Sequence, residues 1–220
     1  MRRVFLLSPA RTDGKRAGLL LNDSAKFDLA LRLRTTEGAP LGDTFSFLSG
    51  LYFRGKLAYA KQFSNAPDSA FGAYSITSSM GLMPVNRLIT IGHLRNFASV
   101  GIDLSEARYT EPLRASVMEL KGATDDCDCN VVLLGSVATA KYVDILLEAF
   151  GDRLLFPKEF IGRGDMSRGG LLLRAVRAGE ELEYVRVSDV AERTGKRPPK
   201  LPPVPKNSAV AVRTSKQPKV

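Results

Sequence analysis

The sequence predicts an α/β fold: a single domain with a largely parallel central sheet flanked by helices, followed by a disordered basic C-terminal tail. Three observations lead there. Short continuous apolar runs such as "RVFLLS" and "NVVLLGS" are of the kind that fill strands buried on both faces. These runs alternate with segments of helical spacing in the order βα…β…αβαβα. A chain of 220 residues, 44% of them hydrophobic, has enough apolar material for one core.

Taken in chain order, "RVFLLS" reads as a first buried strand. "DSAKFDLALRLR" follows with helical spacing, placing Phe27, Leu31 and Arg34 on one side with Asp23 or Ser24 as cap. "FRGKLAYAKQF" is a second helix, through Leu57, Ala60 and Lys61. "GAYSITSS" is a strand by its β-branched and aromatic content, and "LITIGHL" extends the sheet. "YTEPLRASVMELKG" is a helix with Thr110 near its cap, Pro112 in the first turn and Gly122 at the stop. "NVVLLGS" is the clearest buried strand. "VATAKYVDILLEAFG" is an amphipathic helix ending at Gly151, "RLLFP" a final strand and "MSRGGLLLRAVRAG" a final core helix.

The formal net charge of +9 is unevenly placed. From Thr194 to Val220 there are seven basic residues and no acid, so the remainder carries 9 − 7, about +2. The division is therefore residues 1–193 as the folded domain and 194–220 as a tail. That tail, rich in proline and lysine and without aromatics, cannot bury enough apolar surface to offset the entropy of ordering. Pro199-x-x-Pro202 has the form of a polyproline ligand, but a solvated basic tail loosely attracted to nucleic-acid phosphates is the stronger reading.

Several classes are excluded. No apolar run reaches the roughly 18 residues of a membrane span, and "VFLL" is shorter than the roughly 7–15 residues of a signal core, so the expectation is a cytoplasmic protein. Cys127 and Cys129 in "DDCDCN" are too close for an ordinary disulfide and have no second pair to complete a zinc site; they read as a surface turn before a strand. One histidine, His93, rules out most zinc hydrolase patterns, and it reads as structural or surface. No metal or cofactor is expected. Tyr52, Phe53 and Tyr59 resemble a base-stacking set, but at helical spacing they read as core and snorkelling residues.

Ligands of such sheets bind beyond the carboxyl ends of the strands. Four loops qualify: "SPARTDGKRAG", "TSSMGLMPVNR", "GSVATAKY" and "GRGDMSRGG". The first offers Ser8, Arg11, Thr12, Asp13, Lys15 and Arg16; the fourth offers Arg163, Asp165, Ser167 and Arg168. Two hydroxyl-bearing, arginine-rich loops on one side of a sheet make an anion cradle. Arginine donates paired hydrogen bonds to phosphate, and glycines with a helix N-terminus bring backbone N–H groups close. The strict phosphate signatures, G-x-x-x-x-G-K-[ST] and a strand-coupled G-x-G-x-x-G, are absent, and solvated turns are the competing reading. Arg163-Gly164-Asp165 matches the integrin tripeptide by coincidence. Asp13 and Asp165 are the candidate catalytic carboxylates. Neighbouring arginines favour their charged forms, which suits a nucleophile or base; the competing reading is that both merely cap or pair within their loops.

"LLSPART", "ITSSMGLMPVNRLI" and "GRGDMSRGGLLL", in that order and spacing, resemble the motifs of the peroxide-stress protein YaaA family, and "LGDTFSFLSGLYFRGKLAYAKQF" falls where such proteins have a tyrosine-containing helix start. The resemblance covers residues 2–178 in patches. It implies an intracellular α/β protein of that superfamily, linked to oxidative-stress protection and to DNA binding in a positively charged cleft. The matching positions are Ser8, Pro9, Arg11, Thr12, Ser78, Gly81, Pro84, Arg163, Met166, Ser167 and Arg168. Met80 stands where the family has tyrosine, and Asn86 near an expected acid.

Two functions follow as expectations. The first is a nucleic-acid-binding protein, DNA before RNA, holding phosphates through Ser8, Arg11, Thr12, Lys15, Arg16, Ser78, Arg163, Ser167 and Arg168. The second is an enzyme acting on a nucleoside, nucleotide or nucleobase, with Asp13 or Asp165 as catalytic carboxylate. The partner is accordingly nucleic acid or a phosphorylated small molecule, and not a membrane.

Overall fold

A computed structural model describes residues 1–138, 140–189, 198–199 and 201–202. The expected tail, 194–220, lies outside the described residues except at Pro198, Pro199, Leu201 and Pro202.

The centre is a six-stranded sheet. Strands β1 (Arg2–Leu7), β3 (Ala73–Ile76), β6 (Cys129–Leu134) and β7 (Leu154–Pro157) are parallel, and β1 lies between β3 and β6. Antiparallel strands β4 (Leu82–Pro84) and β8 (Tyr184–Arg186) close the two edges. This is the α/β architecture anticipated from the apolar runs. Val4 to Leu7 and Val131 to Leu134 are all fully buried, each contributing about 1.5–3 kcal/mol of transfer free energy. "RLLFP" is not the last strand: β8 follows the final helix and pairs Tyr184 with Pro157.

Helix α4 (Leu51–Phe63) belongs to the connection from β1 to β3. Helices α6 (Ala107–Asp125) and α7 (Ala140–Phe150) connect in the opposite direction, from β3 to β6 and from β6 to β7. Right-handed crossovers running in opposite directions place their helices on opposite faces. Accordingly α4 packs on β1 and on α8 (Asp165–Ala178), while α6 packs on α7. The α4–α8 crossing is the largest helix contact, and glycine makes it possible. A Cβ on Gly169 would stand 2.8 Å from Tyr52 Cα, and one on Gly55 would stand 2.7 Å from the Gly169 carbonyl oxygen. Gly169 of "SRGGLLL" thus serves a close helix crossing.

Several elements depart from the sequence reading. The first loop contains α1 (Lys15–Leu21), a seven-residue helix inside the arginine-glycine stretch. Helix α2 is only Asp28–Arg34, and its buried residues are Ala30 and Leu33, whereas Phe27 and Leu31 are exposed. Helix α3 (Leu41–Ser49) has no counterpart in the reading. "LITIGHL" does not join the main sheet: β5 (Leu88–Ile89) pairs with β2 (Ala39–Pro40) in a separate ribbon. Helix α5 (Ile91–Ser99) then begins with the Thr90 backbone N–H donating to His93 Nδ1 at 3.1 Å. His93 is thus a helix-capping residue. Helix α6 starts at Ala107, capped by Glu106 accepting from Arg108 N at 3.2 Å, and it runs through both Pro112 and Gly122. Gly151 and Gly179, both at positive φ, end α7 and α8 where expected. Among the described residues no helix is long and apolar enough to cross a membrane.

Candidate functional site

Because β1 and β6 are neighbours whose outgoing chains turn to opposite faces, a crevice opens beyond their carboxyl ends. A cavity of about 610 Å³ occupies it. Its wall is built by Ser8–Asp13 after β1, Ser78 after β3, Ser136, Lys141 and Tyr142 after β6, Ser49 and Tyr52 around the start of α4, the end of α5, and Asp165.

Ser8 is the hinge of the site. Its backbone N–H donates to the Leu134 carbonyl at 3.2 Å, extending the β1–β6 ladder by one residue. Gly135 permits this approach, since a Cβ there would lie 2.9 Å from Ser8 Cβ and 3.0 Å from the Tyr142 hydroxyl. The Tyr142 hydroxyl donates to the Ser136 carbonyl at 3.0 Å and accepts from Ser136 N at 3.2 Å, fixing the loop after β6. Burial raises the Tyr142 pKa.

Beneath Ser8 lies Lys56, 1% exposed. Its Nζ donates to the Ser8 carbonyl at 2.6 Å and lies 2.9 Å from Ser8 Oγ. The rings of Tyr52 and Phe53 approach it at 4.5 and 4.7 Å, a partial substitute for hydration. Among the described residues no carboxylate comes within ion-pair distance of it. Burial therefore lowers its pKa to about 7; Asp165 raises it and Arg168 lowers it further, both more weakly. Tyr52 is buried too. Its hydroxyl makes no well-aligned hydrogen bond among the described residues, though Arg168 is near enough to act on it, and desolvation pushes its pKa upward.

Of the residues expected to act, Ser8, Arg11, Thr12, Asp13, Ser78 and Asp165 line this one cavity. The first and fourth loops therefore meet, through Asp165. Arg11 and Asp13 pair at 2.7 Å with side chains 79% and 62% exposed, and that hydrogen bond holds the Asp13 pKa down. Thr12 and Ser78 both donate to the Phe97 carbonyl, at 3.1 and 2.7 Å, so their hydroxyl protons tie α5 to the strand ends. Arg168 stands behind the wall. It donates through Nε and Nη2 to the Phe160 carbonyl at 3.2 and 3.1 Å, and its Nη1 is 3.8 Å from Asp165.

The remaining expected residues do not line the cavity. Lys15 is exposed on α1, and Arg16 donates to the Phe47 carbonyl at 3.2 Å. Arg163 and Ser167 line a separate hollow of about 350 Å³ with Pro198, Pro199 and Leu201, where Arg163 donates to Ser167 Oγ and to the Pro199 carbonyl. The physical reason is helical geometry: along α8, Asp165 lines the cavity, whereas Met166, Ser167 and Gly170 line the hollow.

Sequence reasoning missed Lys56; it named the loop "GSVATAKY" without singling out its Ser136, Lys141 and Tyr142, and it read Tyr52 as a core and snorkelling residue. Lys56 left a readable trace. It is four residues after Tyr52, three after Phe53, three before Tyr59 and four before Ala60, which is a lysine set into an apolar helix stripe. Phe53 and Tyr59 are core, as expected. Cys129 is buried in β6, which raises its pKa to about 11, and Cys127 sits in the preceding turn.

Comparison of the chain with known protein families, with curated proteins and with solved structures finds no match.

Proposed function

We propose that the cavity is the binding and reaction site for a nucleotide-sized small molecule, and that the protein is an enzyme acting on a nucleoside, nucleotide or a related phosphorylated compound. The observation that carries this reading is the convergence of separate chain segments on one cavity of about 610 Å³ whose floor is Ser8 over a buried lysine. That volume is within the roughly 300–1,000 Å³ range of small-molecule sites. Its position, beyond the carboxyl ends of parallel strands at a switch in chain direction, is where α/β sheets bind such ligands.

The lining gives the ligand its chemistry. Arg11 and Lys141 are the wall's cations and suit a phosphate. The Arg11–Asp13 pair is exposed, so an incoming phosphate displaces Asp13 at little cost. Asp165, in the first turn of α8 and 3.8 Å from Arg168 Nη1, keeps lone pairs that can accept a hydrogen bond from a hydroxyl of the ligand. The polar backbone and hydroxyl groups of the strand-end loops suit a sugar or base edge.

DNA binding, the function implied by the resemblance to the YaaA family, calls for an open run of unpaired cations. Here the cavity wall has two cations, Arg11 and Lys141, against two carboxylates, Asp13 and Asp165. Arg16, Arg163 and Arg168 donate to carbonyl groups of the chain itself. These contacts favour the small-molecule reading.

Thermal-shift and calorimetric titration with nucleosides, nucleoside mono- and triphosphates and a short DNA duplex tests the proposal. A nucleotide is expected to stabilise the protein saturably, and Arg11→Ala with Lys141→Ala to weaken it at least tenfold. Duplex binding that is lost in a Lys15→Ala, Arg16→Ala, Arg168→Ala variant, with no stabilisation by millimolar nucleotide, would overturn it in favour of nucleic acid.

A further inference from the structure

Ser8 and Lys56 have a chemistry that phosphate binding does not use. We propose that Ser8 is a nucleophile activated by Lys56, and that the site transfers or hydrolyses an acyl group carried by its ligand. The inference deepens the small-molecule reading and rests on it for the phosphate-bearing part of the substrate alone.

The geometry comes first. Ser8 lines the cavity, and its Oγ is 2.9 Å from Lys56 Nζ, within the reach required of a nucleophile and its base. Lys56 is fixed by its second contact: one N–H donates to the Ser8 carbonyl at 2.6 Å. In a neutral amine this leaves the lone pair to accept the Ser8 Oγ–H. Burial supplies that neutral amine, because the lysine pKa is brought to about 7. The charged groups acting on Lys56 are Asp165 and Arg168 from α8; Tyr52 of its own helix and Tyr142 of α7 are the other titratable side chains at this floor. Serine–lysine pairs replace serine–histidine in acyl-transfer enzymes on unrelated folds.

The step balances without a further reagent. Ser8 Oγ bonds to the acyl carbon and its proton passes to Lys56 Nζ, while the carbonyl π pair moves onto oxygen. The intermediate collapses, the bond to the leaving oxygen or sulfur breaks, and Lys56 returns its proton to that leaving group. Water repeats the sequence on the acyl-serine, releasing a carboxylic acid and restoring Ser8. One negative charge develops on one oxygen. Tyr52 is a residue of the cavity wall, and its buried hydroxyl, beside Arg168, supplies the hydrogen-bond donor for that oxygen. An acyl group suits this floor better than a phosphoryl group. Aromatic rings approach Lys56, and Arg168 is engaged with the Phe160 carbonyl, so among the described residues no cluster of free cations stands at Ser8 to neutralise three phosphoryl oxygens.

The test uses p-nitrophenyl acetate, an activated acyl ester without phosphate, on the full chain. Release of p-nitrophenolate is expected to show a burst, with one acetyl group found by peptide mass mapping on Ser8. The burst rate of the wild type should rise with pH through about 7 and then level, as Lys56 loses its proton. Ser8→Ala should abolish the burst, and Lys56→Met should slow it at least a hundredfold. Acetylation that persists equally in Ser8→Ala, or a burst rate with no inflection near neutrality, would overturn the inference; both readouts stand even if the Lys56 variant does not fold. Nucleotide binding without Ser8 acylation would sink this inference and leave the small-molecule reading intact. Ser8 acylation without nucleotide binding would do the reverse.

Discussion

Lys56 Nζ sits 2.6 Å from the carbonyl oxygen of Ser8 and 2.9 Å from its hydroxyl, so a buried amine from α4 is anchored to the first residue beyond the central strand. The pairing joins fold and site. The ladder hydrogen bond of Ser8 to Leu134 fixes the floor, and α4 brings the amine to it from one face of the sheet.

The first prediction concerns pH and stability. Folded Lys56 releases its proton near pH 7, whereas an unfolded lysine keeps its proton to about 10.4. Between those values the unfolded chain holds more protons, so raising the pH favours the folded state. Relative to Lys56→Met, wild-type stability should rise from pH 7 to 9 with a slope approaching about 1.4 kcal/mol per pH unit. Urea denaturation at several pH values measures it. Staying below pH 9.5 keeps the buried tyrosines, whose pKa values are raised, from contributing.

The second concerns the helix crossing. Gly169→Ala forces a Cβ into backbone atoms of Leu51 and Tyr52, and overpacking of this kind costs about 1–3 kcal/mol. Gly170→Ala meets only Leu201 Cδ1 at 3.9 Å and should be neutral or stabilising by up to about 1 kcal/mol through helix propensity. Equilibrium denaturation of the pair separates a glycine that packing requires from one that it does not.

The third concerns Tyr52. Its hydroxyl is buried and makes no well-aligned hydrogen bond among the described residues. Removing such a group in Tyr52→Phe should leave stability within about 1 kcal/mol of wild type or raise it. Ligand affinity or turnover should fall at the same time. A thermal melt paired with calorimetry shows whether the two properties move apart.

The fourth concerns the rim. Asp13→Asn removes one partner of an exposed pair, so stability should change by less than about 1 kcal/mol. Arg11 then meets an anion without competition, and nucleotide affinity should increase. Titration at two salt concentrations should show the gain shrinking as screening grows.

The strands and the long helices were legible because their signals are local. "RVFLL" and "NVVLL" can only be buried, and Gly151 and Gly179 end α7 and α8 in the left-handed conformation that glycine favours. What was illegible depended on tertiary contacts. Helix α1 is short and hidden among arginines and glycines. "LITIGHL" is β-branched, but the cap made by His93 turns it into the start of α5. The arginines looked like an anion cradle, yet Arg16, Arg163 and Arg168 are engaged with backbone carbonyls of residues 8 to 36 positions away in sequence. Ser8, Arg11, Thr12, Asp13, Ser78 and Asp165 line one cavity because loops at one end of a parallel sheet share one rim. Lys56 was missed because the helix was read through Leu57, Ala60 and Lys61, a face that leaves it out.

The most direct measurement is calorimetric titration of nucleoside monophosphates into the wild type and an Ala98→Trp variant. Ala98 lines the cavity without belonging to its reacting groups, and the indole fills the space between α5 and the loop after β1. Saturable binding to the wild type, lost in a variant that melts at the same temperature, is the predicted result. Equal binding by the two proteins, or no binding to the wild type by any nucleotide, would contradict the account.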